Sequence, residues 1–76
     1  MSYKLLDVDR TVGGNIRGYR INNGISVHDM SLMLKVSEQE INEIETGKYR
    51  PNAAVLLSIC DMLHVRLVDI FPAKST

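Results

Sequence analysis

Residues 26–47 are SVHDMSLMLKVSEQEINEIETG, and this stretch contains two amphipathic segments joined by a very tight turn. The first segment has an apolar or small face at helical i, i+3, i+4 and i+7 spacing, formed by Val27, Met30, Ser31 and Leu34. The second carries Ile41 and Ile44 on one face and stops at Gly47. The pattern therefore predicts two helices of about eight residues that cross steeply, with the second standing out from the domain surface.

Capping residues mark the beginning of both segments. Ser26 and Ser37 each precede an apolar face, and serine is a preferred N-cap because its side chain accepts from an otherwise unpaired backbone amide. Glu40 follows Ser37 by three positions, which predicts a reciprocal capping box at the second helix.

Three further helical segments flank this pair. The first begins at Thr11 and ends at Gly24, in a left-handed cap. Its stripe consists of Val12, Ile16, Tyr19 and Asn23. A fourth segment follows the N-cap Asn52 and has an apolar face made of Leu56, Ile59, Cys60 and Leu63. A last turn holds Leu67, Ile70 and Phe71 before Pro72. The fold class expected is all-α, with five helices.

The domain organisation expected is a single helical domain over residues 11–72, between an N-terminal extension at 1–10 and a polar tail at 73–76. Residues 3–6 are the apolar part of the extension. A short strand and a disordered arm are both compatible with them.

Composition restricts the function without identifying it. The 76 residues are 45% apolar and 24% charged, which is ordinary for one soluble globular domain. The single cysteine, Cys60, rules out an intrachain disulfide and favours the cytoplasm. No apolar run approaches the roughly 20 residues that cross a bilayer, so we expect no membrane partner. The net charge of +0 argues mildly against nucleic acid, so a case for DNA must rest on where the charges lie.

From Val12 to Phe71 the sequence resembles, without gaps, the phage-repressor (Cro/repressor, or XRE) type of helix-turn-helix. The matching positions are Ile16-Arg17, Arg20, Gly24-Ile25-Ser26, Leu34, Val36-Ser37, Ile41, Ile44-Glu45, Gly47-Lys48, Pro51, Leu63, Val65, Leu67 and Asp69-Ile70-Phe71. The resemblance implies a five-helix, repressor-like DNA-binding domain whose third helix enters the major groove. It further implies a homodimeric transcriptional regulator of a two-fold symmetric operator.

The resemblance also assigns roles to residues. Base-reading positions would be Glu38, Gln39, Asn42 and Glu43. Phosphate contacts would come from Arg17, Lys35, Lys48, Tyr49 and Arg50. A partly buried ion pair between Arg20 and Glu45 would tie the first helix to the third.

The sequence departs from the family pattern at three places that bear on DNA. Val27 replaces a glutamine that commonly holds a phosphate, and Lys35 replaces a glycine in the turn. The third helix is acidic, and no lysine or arginine lies between Val36 and Gly47. Acids at the groove must accept from bases or be repelled by phosphates.

A second hypothesis is therefore a protein-interaction module, such as an antitoxin or antirepressor, with weak or no DNA binding. Leu32 and Met33 form its candidate partner patch, because relatives usually carry polar residues there. A dimer surface is expected at Met62, Val68 and Phe71, with pairing of residues 3–6 across the two-fold axis as a further hypothesis.

An enzyme is not expected from this sequence. One cysteine and two histidines do not form a metal-ligand set, and Gly13-Gly14 lacks the residues of a nucleotide-binding loop. We expect no cofactor and no metal.

Overall fold

The structure, a computed structural model, describes residues 7–72. Helix α1 spans Asp7–Asn22, α2 Val27–Leu34, α3 Glu38–Glu45, α4 Ala53–Leu63 and α5 Leu67–Ile70. The prediction of an all-α, five-helix fold is confirmed over this range. The strand or arm considered for residues 3–6 and the polar tail at 73–76 lie outside the described residues.

The start of α1 differs from the prediction, because the helix begins at Asp7 rather than at Thr11. Residues 7–10 are thus helical and do not belong to an extension. Two acids in the first turn, Asp7 and Asp9, complement the positive end of the helix dipole. Val8 packs against the core. The apolar stripe visible in the sequence starts at Val12, one turn too late to reveal this beginning.

Helices α2, α3 and α4 begin at the predicted N-caps, Ser26, Ser37 and Asn52. The hydroxyl of Ser26 accepts from the amide of Asp29 at 2.9 Å, and the side-chain oxygen of Asn52 accepts from the amide of Val55 at 2.9 Å. The capping-box prediction is half correct. Ser37 Oγ accepts from the Glu40 amide at 3.0 Å, but among the described residues no return bond joins the Glu40 carboxylate to the Ser37 amide.

Two non-glycine residues end helices in the left-handed region, namely Lys35 (φ 60°) and His64 (φ 58°). The amide of Lys35 donates to the Leu32 carbonyl at 3.3 Å, and the next amide, that of Val36, reaches Ser31 at 3.0 Å. The tight turn expected for a helix-turn-helix is therefore kept despite the lysine. It leaves only three residues between the end of α2 and the start of α3.

All five helices contribute side chains to the core. Its buried apolar side chains are Val12, Ile16, Met30, Ile41, Ile44, Ile59, Cys60, Leu63 and Ile70. Helix α1 lies so close to α3 that a Cβ on Gly13 would be 2.2 Å from the Ile44 carbonyl oxygen. The backbone of α3 is thereby held directly against α1, which leaves the opposite side of α3 open to solvent.

Candidate nucleic-acid interface

Helix α3 has one buried and one outward side. Ile41 and Ile44 are 1% and 3% exposed, so the helix is anchored by its apolar stripe. Three of the four predicted base-reading residues are exposed on the other side: Glu38, Gln39 and Asn42. Glu43, the fourth, is half-buried. The structure thus places most of the predicted set on one polar surface.

Two acids of this surface have intramolecular partners that the sequence analysis did not foresee. Nδ1 of His28 lies 2.8 Å from Oε2 of Glu38, which joins the first turns of α2 and α3. The amide nitrogen of Gln39 donates a long 3.4 Å hydrogen bond to Oε2 of Glu43, one turn further along α3. Part of the negative charge on this helix is therefore engaged by neighbouring donors.

The predicted phosphate contacts separate into two groups. All five are exposed, but Arg17, Lys35, Lys48 and Tyr49 form one group and Arg50, which has an acidic partner, forms the other. Arg50 forms a forked ion pair with Asp9, with nitrogen–oxygen distances of 2.9 and 3.2 Å, and Asp9 is only 8% exposed. The guanidinium of Arg50 therefore fastens the loop after α3 to the start of α1, a role that the sequence analysis missed.

The same loop is held at a second point. Gly47 has φ 78°, and a Cβ on it would lie 2.7 Å from the Cα of Arg10. The first turn of α1 thus packs against the backbone immediately before Lys48. An apolar cavity of about 320 Å³ lies beside these contacts, with Val12, Tyr49 and Phe71 among its lining residues.

The expected pair of Arg20 and Glu45 is formed and buried. Nε and Nη2 of Arg20 donate to the two carboxylate oxygens at 2.6 and 3.1 Å. The side chains are 9% and 4% exposed. The remaining terminal nitrogen of Arg20 donates to the Ile25 carbonyl at 2.8 Å. One guanidinium therefore joins the C-terminal part of α1, the end of α3 and the loop before α2.

The apolar residues singled out for protein contacts differ in exposure. Leu32 and Met33 are 63% and 59% exposed on α2, and Val68 is 68% exposed on α5. Phe71 is 38% exposed, whereas Met62 is half-buried against the core. Val68 is accordingly the most accessible member of the predicted dimer surface.

The described residues offer little for covalent or metal chemistry. Within residues 7–72, no three histidine, cysteine or acidic side chains come together as a metal site. Burial, together with the negative charge of Asp69, raises the pKa of the Cys60 thiol, which disfavours the nucleophilic thiolate. None of the helices in this range is both long and apolar enough to cross a bilayer.

Residues 16–70 match the helix-turn-helix family model, so the matched segment contains all of α2, α3, α4 and α5. The chain belongs to this helix-turn-helix family. The XRE-type resemblance found in the sequence is thereby confirmed.

Two relatives identify the class of protein to which this chain is similar. The transcriptional regulator ClgR of Mycobacterium tuberculosis is 33% identical over 60 residues, covering 79% of this chain and 54% of the relative. This chain thus spans about half the length of that regulator. An uncharacterized HTH-type transcriptional regulator of Methanocaldococcus jannaschii, MJ0272, is 34% identical over 56 residues, covering 74% and 85% of the two chains.

A solved structure agrees with the fold. The clp gene regulator ClgR from C. glutamicum superimposes with a TM-score of 0.80, covering 91% of this chain and 88% of that one. The sequence identity is 20%, so this likeness concerns the fold alone. The homologues are transcriptional regulators, and the fold is that of a repressor-like domain.

Proposed function

We propose that this protein is a sequence-specific DNA-binding transcriptional regulator that acts as a homodimer on a two-fold symmetric operator. The observation that carries the proposal is the outward polar face of α3. Glu38, Gln39 and Asn42 are exposed on a helix whose other face is fixed in the core. Lys35 and Lys48 precede and follow this helix, so cations flank the polar face at both ends. This function implies a cytoplasmic location.

The proposed division of labour separates positioning from base recognition. Lys35, Lys48, Tyr49 and Arg17 supply donors for phosphates, which orient a protein on the duplex without selecting a sequence. Gln39 can bond the N6 and N7 atoms of adenine, and a glutamate can accept from the amino group of cytosine. Because the chain carries a net charge of +0, we expect its affinity to depend strongly on the bases and to be weak on random DNA.

The direct test is selection from a random duplex library of about 30 base pairs by the purified chain at low salt. We expect enrichment of a two-fold symmetric motif with half-sites about one helical turn apart. Failure of folded protein to enrich any motif would contradict the proposal.

Gln39→Ala and Lys48→Ala should weaken DNA binding in different ways. Loss of the Gln39 amide should cost about 1–3 kcal/mol at one base pair and relax the preference there. Loss of the Lys48 cation should weaken binding to all DNA sequences alike. It should also reduce the slope of log affinity against log salt concentration by about one unit. Both are measured by titrating the selected site and its single-base variants at several salt concentrations. An equal loss on every sequence for Gln39→Ala would show that this residue does not read a base.

Val68→Asp should separate the proposed dimer. Val68 is 68% exposed on α5, so a charge there leaves the monomer intact but must be desolvated when an apolar interface closes. We expect the dissociation constant of the dimer to rise by about tenfold or more, which corresponds to about 1.4 kcal/mol. The affinity for the operator should fall with it. Sedimentation velocity over a concentration series measures the change. Leu32→Asp on α2, at similar exposure, is the matched control and should leave the dimer unchanged.

A second candidate is a protein-interaction module such as an antitoxin or antirepressor. Its support is the adjacent exposure of Leu32 and Met33 at 63% and 59%. Exposed apolar neighbours on one helix can dock a partner, and methionine adapts to varied surfaces. If folded protein enriches no DNA motif in the library selection, this candidate gains support.

A further inference from the structure

The contact between His28 and Glu38 connects the two helices of the helix-turn-helix. His28 is the second residue of α2, and Glu38 is the first residue of α3. Nδ1 of the imidazole lies 2.8 Å from Oε2 of the carboxylate, and the two side chains are 64% and 56% exposed. The pair therefore lies on the solvent side, at the end of α3 that begins the proposed base-reading face.

Stability does not account for this contact. Ion pairs and hydrogen bonds at such exposure contribute little to folding, because water competes for both groups. What the contact does provide is orientation. A long glutamate side chain at the start of a helix has several rotamers, and a hydrogen bond at Oε2 selects those that leave Oε1 open. The bond requires a proton on Nδ1, which both the imidazolium and one neutral tautomer supply.

We propose that His28 is a positioning residue that sets base preference through Glu38, an inference that rests on the proposed DNA-binding function. With Oε2 held by the imidazole, Oε1 accepts from the amino group of a cytosine in the major groove. The hydrogen bond strengthens when DNA excludes water from it. His28 thus contributes to sequence selection without touching a base.

The experiment compares base preferences selected from a random duplex library by the wild type, Glu38→Ala, His28→Ala and the double variant. We expect Glu38→Ala and His28→Ala to relax the same base pair, each by on the order of tenfold. The double variant should lose no more base preference than either single variant, because each single substitution already eliminates the Glu38 carboxylate as held by His28. His28→Gln, whose side-chain amide can donate to the carboxylate, should retain the preference.

Two selection outcomes would overturn the inference. In the first, His28→Ala keeps the preference that Glu38→Ala loses. In the second, His28→Ala lowers affinity on all sequences or at a different base pair, which would make His28 an independent DNA contact.

A readout without DNA distinguishes failure of the inference from failure of the proposed function. Ring carbon shifts of His28 in alkaline buffer report which nitrogen carries the proton. We expect the Nδ1–H tautomer in the wild type and a shift toward Nε2–H in Glu38→Gln. Identical shifts would show that the contact is absent and would overturn the inference even if DNA is bound. The expected shifts, combined with no enriched motif, would instead locate the failure in the proposed function, and the inference about base preference would fall with it.

Discussion

Arg20→Ala should destabilise the domain by about 3–5 kcal/mol, because it leaves the Glu45 carboxylate buried without its partner. Glu45 is 4% exposed at its side chain, and both of its oxygens accept from Arg20. The variant also removes the donor to the Ile25 carbonyl, which fixes the loop before α2. Since small domains are stable by only about 5–15 kcal/mol, this loss is a large fraction of the total, and the urea midpoint of the variant should fall clearly below that of the wild type.

Urea unfolding followed by circular dichroism measures this loss. Arg17→Ala is the matched control, because Arg17 lies on the same helix and is exposed, and its change should stay within about 0.5 kcal/mol. Replacing both members by apolar residues, as in Arg20→Met with Glu45→Leu, should recover most of the stability, since no charge is then stranded. If Arg20→Ala lowered the free energy of unfolding by less than about 1 kcal/mol, as is typical of an exposed ion pair, the Arg20–Glu45 pair could not be buried as the structure has it.

The helix pattern could be predicted because it rests on short-range signals, whereas no such signal connects Arg20 and Glu45, which are 25 residues apart. Ser26, Ser37 and Asn52 cap their helices as expected, since capping depends on a side chain and an amide three residues away. The ion pair followed from the family resemblance, which assigns both positions. The outward direction of α3 likewise follows from the spacing of Ile41 and Ile44.

The contacts that the sequence did not reveal depend on the path of the chain between elements. Asp9 and Arg50 are 41 residues apart, and they meet because the loop after α3 returns to the start of α1. His28 and Glu38 meet because the turn at Lys35 brings the first turns of α2 and α3 together. Both contacts use polar side chains outside the apolar stripes, where periodicity carries no information.

Gly13→Ala and Gly14→Ala, although adjacent in α1, should change stability in opposite directions. A Cβ on Gly13 would lie 2.2 Å from the carbonyl oxygen of Ile44 and 2.7 Å from that of Glu45, both backbone atoms that cannot rotate away. Helices α1 and α3 must therefore separate, and overpacking of this kind costs about 1–3 kcal/mol or more. At Gly14 a Cβ would meet nothing within 4 Å, so alanine should stabilise the helix by about 0.5–1 kcal/mol.

The comparison is informative because both substitutions gain the same intrinsic helix propensity in the same helix. The difference between their unfolding free energies, measured in urea, therefore isolates the close approach of α1 and α3. Because Ile44 and Glu45 belong to α3, the separation forced by Gly13→Ala should also displace the proposed recognition helix and weaken operator binding at temperatures where the variant is folded. Gly14→Ala should bind as the wild type does. If Gly13→Ala stabilised the domain as Gly14→Ala is expected to, the two helices would have to lie further apart than the structure places them.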